Sequence, residues 1–269
     1  MIFFWQPFLL SISQVFVTFT SLYYAISKYN LTIDLPKFSV LINVLNEDSS
    51  MFFSSIVISL YTTTNIVILG ILASKQEVGY FSAAQKFIIL TQSLILVPIT
   101  NTIFPYISGK FSEGIDIGIN SVNKIAPIII LIMFLMGVFL FFIGPWIIIA
   151  FYGENFKNSG NIFRIMSFIP LVISISNLYG IQIMLNLKLD KIFLKIIIFG
   201  AFVSLFFNSF LVKNYGGFGA ASSWLICELF ISVIMGIYLF KNGIQIFSIR
   251  KFYPSELILS LRSLKILIK

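Results

Sequence analysis

The chain has 269 residues, 58% of them hydrophobic and only 10% charged, with 18 Lys and Arg against 10 Asp and Glu. A soluble domain carries about 25% charged residues, so this composition excludes an ordinary water-soluble globule. The single cysteine, Cys227, excludes a disulfide framework within the chain, and the absence of histidine removes His metal sites, His general bases and His proton relays. Nothing in the residues asks for a cofactor or a metal.

Seven apolar runs follow one another, at residues 2–24, 51–72, 80–106, 125–142, 163–185, 193–212 and 216–240. A run of about 18 or more apolar residues is long enough to cross a bilayer. In lipid every backbone N–H and C=O must be satisfied within the segment, so the runs predict helices and an all-α, polytopic membrane fold. The net charge of +8 would suggest nucleic acid in a soluble protein. Here it has another origin, because Lys and Arg collect in cytoplasmic loops, and no nucleic-acid partner is expected.

Placing residues 25–50 in the cytoplasm and alternating from there sorts the cations. The inner side receives Lys28, Lys37, Lys110, Lys124, Lys188, Lys191, Lys195, Lys241, Arg250, Lys251, Arg262, Lys265 and Lys269. The outer side receives Lys75, Lys157, Arg164 and Lys213, and Lys86 lies inside a span. A thirteen-to-four bias predicts a multi-pass protein with its N-terminus outside and its C-terminus in the cytoplasm. The first span begins at residue 2 with no basic region before it, which predicts an internal helix of something larger, with helices missing upstream. A genuine seven-helix protein is the alternative.

Residues 25–50 form the longest inner loop. Within it, residues 36–46 set Phe38, Leu41 and Leu45 on one face, an amphipathic helix that could lie in the interface. The tail after Phe240 is similar. Pro254 suits a first helical position, and Arg262, Lys265 and Lys269 punctuate apolar residues, as in a helix resting on anionic lipid. The short loops at 73–79, 186–192 and 213–215 make neighbouring spans antiparallel.

Polar groups inside the spans are where function is sought, because an intramembrane charge is costly. Glu228 lies about twelve residues, or roughly 18 Å, into the last span, near the bilayer middle. It must pair, hydrogen-bond or be protonated, and reads either as a coupling site for a proton or cation or as a strut that locks helices together. Lys86 sits roughly 9 Å into the third span. It either snorkels to the interface or faces a polar cavity with Ser82 and Ser93, which share its helix face. Arg164 opens the fifth span and reads as an interfacial anchor or a cavity cation. Asn65, with Tyr61, Thr62, Thr63 and Thr64, and the buried-depth Asn101, Asn177, Gln182 and Asn208 read as helix–helix glue or as sugar ligands. Pro98 removes a hydrogen bond within the third span and predicts a kink.

At this point the residues resemble a family. Residues 53–72 (FSSIVISLYTTTNIVILGIL), 78–86 (VGYFSAAQK) and 97–108 (VPITNTIFPYIS) resemble two successive helices of bacterial O-antigen flippases. These form the polysaccharide-transporter branch of the superfamily that includes the MATE exporters. FYGENF (151–156), ISNLYGIQIML (175–185) and GAASSWLICE (219–228) continue the resemblance in order. It implies two six-helix lobes around a cavity. Residues 1–24 would be the last helix of an otherwise missing N-terminal lobe and 25–50 the cytoplasmic interlobe linker. Residues 51–240 would be a six-helix C-terminal lobe and 241–269 a basic cytoplasmic tail. The implied function is the flipping of undecaprenyl-pyrophosphate-linked O-antigen or related repeat units across the bacterial inner membrane by alternating access. A missing half or a second copy would complete the cavity. In that frame Lys86, Ser82, Asn65, Gln182 and Arg164 are candidate substrate ligands, Glu228 couples or locks the lobe, and Pro98 is a hinge; no residue is catalytic. A drug exporter of the same superfamily, a polysaccharide polymerase or ligase, and an inactive remnant are the alternatives.

Overall fold

A bilayer leaves an apolar chain only intra-segment hydrogen bonds, and the computed structural model, which describes residues 2–29 and 37–244, is built accordingly. Among the described residues the regular elements are all helical. They are α1 (Ile2–Tyr29), α2 (Phe38–Leu72), α3 (Lys75–Thr91), α4 (Val97–Glu113), α5 (Ile115–Tyr152), α6 (Lys157–Met166), α7 (Ile169–Tyr179) and α8 (Asp190–Lys241). Two π turns, Gln92–Leu96 and Gly180–Met184, and a 3-10 turn, Glu154–Phe156, are set among them.

The chain divides into two compact units, Met1–Asp48 and Ser49–Lys269. In the first, α1 satisfies its hydroxyls locally: Thr18 Oγ1 and Ser21 Oγ donate to the carbonyls of Gln14 and Val17, each at 2.8 Å. Such back-bonding lets Ser and Thr sit in an apolar helix without a partner from elsewhere. The expected interfacial helix at 36–46 is not a separate element: α2 begins at Phe38 and runs unbroken through Leu72. Pro36 and the tail with Pro254, Arg262, Lys265 and Lys269 lie outside the described residues.

In the second unit five helical stretches are long and apolar enough to cross a membrane: Ser49–Leu72, Lys75–Glu113, Ile115–Tyr152, Glu154–Met184 and Asp190–Lys241. The protein is therefore a multi-pass, all-α membrane protein. The 52 residues of α8 would reach about 78 Å if straight, far beyond a hydrocarbon core of about 30 Å. They are not straight. Gly216 takes φ 55° and ψ −130°, a left-handed backbone that glycine adopts without penalty, and the chain turns back on itself. Ser223 Oγ donates to the Ser204 carbonyl and Cys227 Sγ to the Gly200 carbonyl, each at 3.3 Å. Partners that recede in step on both limbs are those of an antiparallel hairpin. A Cβ on Gly219 would fall 2.1 Å from the Leu211 carbonyl oxygen, so the limbs touch where only a glycine fits. Ser204 meets Ser223 and Gly200 meets Cys227, small residues at a spacing of four that allows close helix approach. The spans expected at 193–212 and 216–240 are these two limbs. A count of seven, with 2–24 as the first span, rests on the sequence.

Three expected spans take a different form. The kink expected at Pro98 is carried by the π turn just before it, where Val97 N–H donates to Gln92 O. The proline ring would clash with a carbonyl four residues back, and the widened turn makes room. The run 163–185 is not one helix: α6 ends at Met166, α7 starts at Ile169 with Pro170 in its first turn, and a π turn follows at Gly180. Pro170 has no N–H to donate to the Met166 carbonyl, and its ring would clash with that carbonyl in a continuous helix. The run 125–142 lies inside a helix of 38 residues, α5, which begins in the polar stretch before it and continues through Gly144 and Pro145 over the apolar residues 146–152.

Helix α5 packs against α4, α6 and α7, and α8 against α3, α6 and α7. The buried side chains form two clusters stacked along the bundle. One gathers Leu69, Tyr80, Phe81, Phe163, Val212 and Ala220. The other gathers Ile107, Ile125, Met184, Phe193, Ile231 and Leu239. The polar site lies where they meet.

Candidate functional site

Glu228 lies about eleven residues, or roughly 16 Å, along the second limb of α8 and is only 3% exposed. A carboxyl at that depth needs partners. Two donors supply them. Tyr61 on α2 donates its hydroxyl to Glu228 Oε1 at 3.0 Å, and the Trp224 indole N–H, one turn away on α8, donates to the same oxygen at 3.3 Å. Both donors address one oxygen. The carboxyl lines a cavity of about 220 Å³ between α2, the first π turn, α7 and both limbs of α8. Tyr61, Thr62, Gln92, Ser176 and Asn177 give it polar walls, and Phe193, Ile197 and Met235 apolar ones.

Tyr61 also lines a second, apolar hollow of about 210 Å³ between α2 and the first limb of α8, with Leu60, Thr64, Ala201 and Phe202. One ring thus separates the two spaces, and its hydroxyl is fixed on the Glu228 side.

One turn along α2, Asn65 is fully buried and accepts a 2.5 Å hydrogen bond from Asn208 Nδ2. Gln182, in the second π turn, is also buried and donates from Nε2 to the Thr100 carbonyl at 3.5 Å. These two candidates join helices inside the lobe. Lys86 is exposed on α3, with Ser82 half-buried one turn earlier and Ser93 exposed past it. Arg164 is exposed on α6, donates to Asn161 Oδ1 at 3.2 Å and lies 5.9 Å from the Phe141 ring centre. Pro98 is exposed at the start of α4. The cavity therefore brings Glu228 together with Tyr61 and Trp224, and not with Lys86, Ser82, Asn65, Gln182 or Arg164. Among the described residues no group of three or more His, Cys, Asp or Glu side chains is placed to hold a metal.

Glu77 escaped the sequence reading. Its Oε2 accepts the Gly217 backbone N–H at 2.7 Å. It sits where the second limb of α8 begins, a position that carries free N–H groups and partial positive charge. A signal was present: Ser74-x-x-Glu77 is a capping-box pattern, and Ser74 Oγ does accept the Glu77 N–H at 3.3 Å. The Glu77 carboxylate serves a different helix. Ser159 Oγ ties the same end of the bundle by donating to the Tyr80 carbonyl at 2.6 Å.

Residues 3–111 match the family described as polysaccharide biosynthesis protein. A protein of Escherichia coli (strain K12) is 31% identical over 196 residues, which cover 73% of this chain and 47% of that protein. One of Shigella dysenteriae is 32% identical over 192 residues, covering 71% and 47%. Each bears the name "Putative O-antigen transporter". The chain spans about half the length of the curated relatives it matches. No solved structure matches it.

Proposed function

Because the chain belongs to the O-antigen flippase and polysaccharide-transporter family, we propose that it serves to move a polyprenyl-pyrophosphate-linked oligosaccharide across the bacterial inner membrane. The cargo in this reading is an undecaprenyl-linked O-antigen or related repeat unit, carried from the inner to the outer leaflet by alternating access, with no bond made or broken. The Lys and Arg bias places the N-terminus outside and the C-terminus in the cytoplasm.

The observation that carries the reading is a set of exposed polar residues at membrane depth, interleaved with exposed Ile89, Leu90, Leu94 and Val97. Along Lys75–Glu113 the exposed residues include Lys86, Ser93, Asn101 and Thr102. All lie within roughly 12 Å of the middle of that helix, well inside a hydrocarbon half-thickness of about 15 Å. Elsewhere the exposed surface of the unit is dominated by Phe134, Leu135, Phe139, Phe202, Phe206, Phe210 and Val233. Lys86 and Asn101 are costly against lipid; Ser93 and Thr102 are satisfied by the Ile89 and Pro98 carbonyls of their own helix and add acceptors to what would suit a wet pathway for sugars and phosphates. Lys86 is the group we assign to the pyrophosphate, with Ser82 beside it. Arg164 would meet the anion at the outer end, and Asn65 and Gln182 hold the wall behind. Glu228, held by Tyr61 and Trp224, couples or locks the lobe, and Pro98 marks its hinge.

Deleting the gene and following lipid-linked repeat units by leaflet tests this. The expected result is single units held on the cytoplasmic leaflet and loss of surface polysaccharide. Units that reach the outer leaflet unpolymerised would assign the chain to polymerisation instead, and unchanged glycolipids would remove the flippase reading.

A further inference from the structure

The cavity beside Glu228 has a polar point in its wall that the protein does not satisfy. Gln92 Nε2 is buried there and finds no acceptor in the protein. Asn65 Nδ2 and Asn208 Oδ1 are also without further partners, one turn along α2 from Tyr61 and outside the cavity wall. A buried donor or acceptor left without a partner costs about 1–3 kcal/mol. Gln92 Nε2 is such an atom in the wall it shares with the Glu228 carboxyl, at a depth where lipid offers no hydrogen bonds, and it calls for a ligand that can accept from it.

The walls say which ligand. A water needs two to four polar partners and roughly 30 Å³, and the cavity encloses about 220 Å³. Glu228, Gln92, Asn177 and the lone pairs of Thr62 and Ser176 all line it. The hydroxyls of Thr62 and Ser176 already donate to the Ile58 and Ile173 carbonyls, at 2.8 and 3.0 Å, so both present acceptors. Among the described residues no cation lines the cavity: the groups facing Glu228 are Tyr61 from α2, Gln92 from the π turn, Ser176 and Asn177 from α7, and Trp224 from its own helix. The walls are mostly apolar, with Glu228, Gln92 and Asn177 as polar points and no Lys or Arg among the lining residues, which does not suit a free anion.

We propose that the interior of this lobe holds a cluster of ordered waters bonded to Gln92, Asn177 and Glu228, and that this cluster is the proton-exchange partner of the Glu228 carboxyl. Tyr61 and Trp224 occupy one carboxyl oxygen; water serves the other. A carboxyl tied only to a tyrosine and a tryptophan would be a fixed strut, whereas one that touches water exchanges its proton. The inference concerns the lobe alone and stands apart from what the chain carries.

X-ray hydroxyl-radical footprinting of the protein in lipid nanodiscs tests it, because radicals born from bound water oxidise the side chains around it. Met235 lines the cavity and is 1% exposed, while Met133 and Met166 are fully buried away from it. The three share one chemistry, so their rates compare directly. Met235 is expected to oxidise at least about tenfold faster than Met133 and Met166, a difference of ~1.4 kcal/mol in effective barrier. Gln92→Leu, which removes a water ligand without touching Met235, is expected to lower the Met235 rate several-fold and leave the other two unchanged. Equal rates at all three methionines in the unaltered protein would overturn the proposal. The measurement involves no glycolipid, so its failure leaves the transport reading standing and the reverse also holds.

Discussion

Tyr61, Glu228 and Lys86 show how far a single residue can be read. Glu228 stands out in any sequence, because a carboxyl in the middle of an apolar run has few explanations. Its partners do not stand out. Tyr61 comes 167 positions earlier in the chain and is one of several polar residues in its helix. Tyr61→Phe keeps the ring that separates the two hollows and removes the hydroxyl from Glu228. We expect a loss of about 1–3 kcal/mol in stability, read as a lower midpoint in thermal denaturation in detergent. An unchanged midpoint would mean that the bond contributes nothing. Lys86 is the opposite case. It is exposed and bonded to nothing among the described contacts, so Lys86→Ala should leave stability within about 0.5 kcal/mol. Repeat-unit transfer, measured by complementation of the deletion strain, should fall about tenfold or more, ~1.4 kcal/mol, with Lys86→Arg restoring part of it. Wild-type transfer by Lys86→Ala would take Lys86 out of the pathway.

At the scale of the element, helix existence follows from apolar periodicity and bilayer physics, and helix shape does not. The α8 hairpin rests on glycines with distinct tasks. Gly216 supplies the left-handed backbone of the turn, and Gly219 lets the limbs touch. Gly219→Ala would set a methyl 2.1 Å from a backbone oxygen, which no side-chain rotation relieves. We expect little or no folded protein by fluorescence-detected size exclusion. Gly70→Ala is the control: no atom lies within 4 Å of the added Cβ, and replacing glycine in a helix is expected to stabilise by about 0.5–1 kcal/mol. Glu77 links one element to another. Glu77→Gln keeps the length and loses the charge at the Gly217 N–H, at an expected cost of about 1 kcal/mol, seen as a lowered unfolding midpoint that added salt does not restore. The Pro98 kink was legible as a disturbance, but not its form as a π turn. The break at 167–168 had a cue in Pro170, which the length of the apolar run concealed.

For the whole molecule, orientation is the testable claim. The ties Glu77–Gly217 and Ser159–Tyr80 gather residues 74–80, 159 and 217 at one end of the bundle. By the charge bias this is the outer end, and Lys188 and Lys241 belong to the inner one. Cys227 is the one native thiol and is buried, so background labelling is low. Lys75→Cys and Lys157→Cys should react with a membrane-impermeant maleimide in intact cells, and Lys188→Cys and Lys241→Cys only after permeabilisation. The reverse pattern would invert the topology.

The sequence by itself determined the class, the membrane setting, the approximate position of the long apolar helices and the family, because those depend on composition, run length and motif order, all of which are local. It also marked Glu228 as a residue to explain. What only the tertiary structure decided is which polar residues meet. Asn65 pairs with Asn208, Gln182 reaches the Thr100 carbonyl, and Glu228 takes Tyr61 and Trp224, while Lys86 remains on an exposed flank. Any of the Ser, Thr, Asn and Gln side chains at membrane depth could have served as glue or as ligand. The choice depends on the rotation of each helix about its axis, which packing against distant segments fixes and no local pattern encodes.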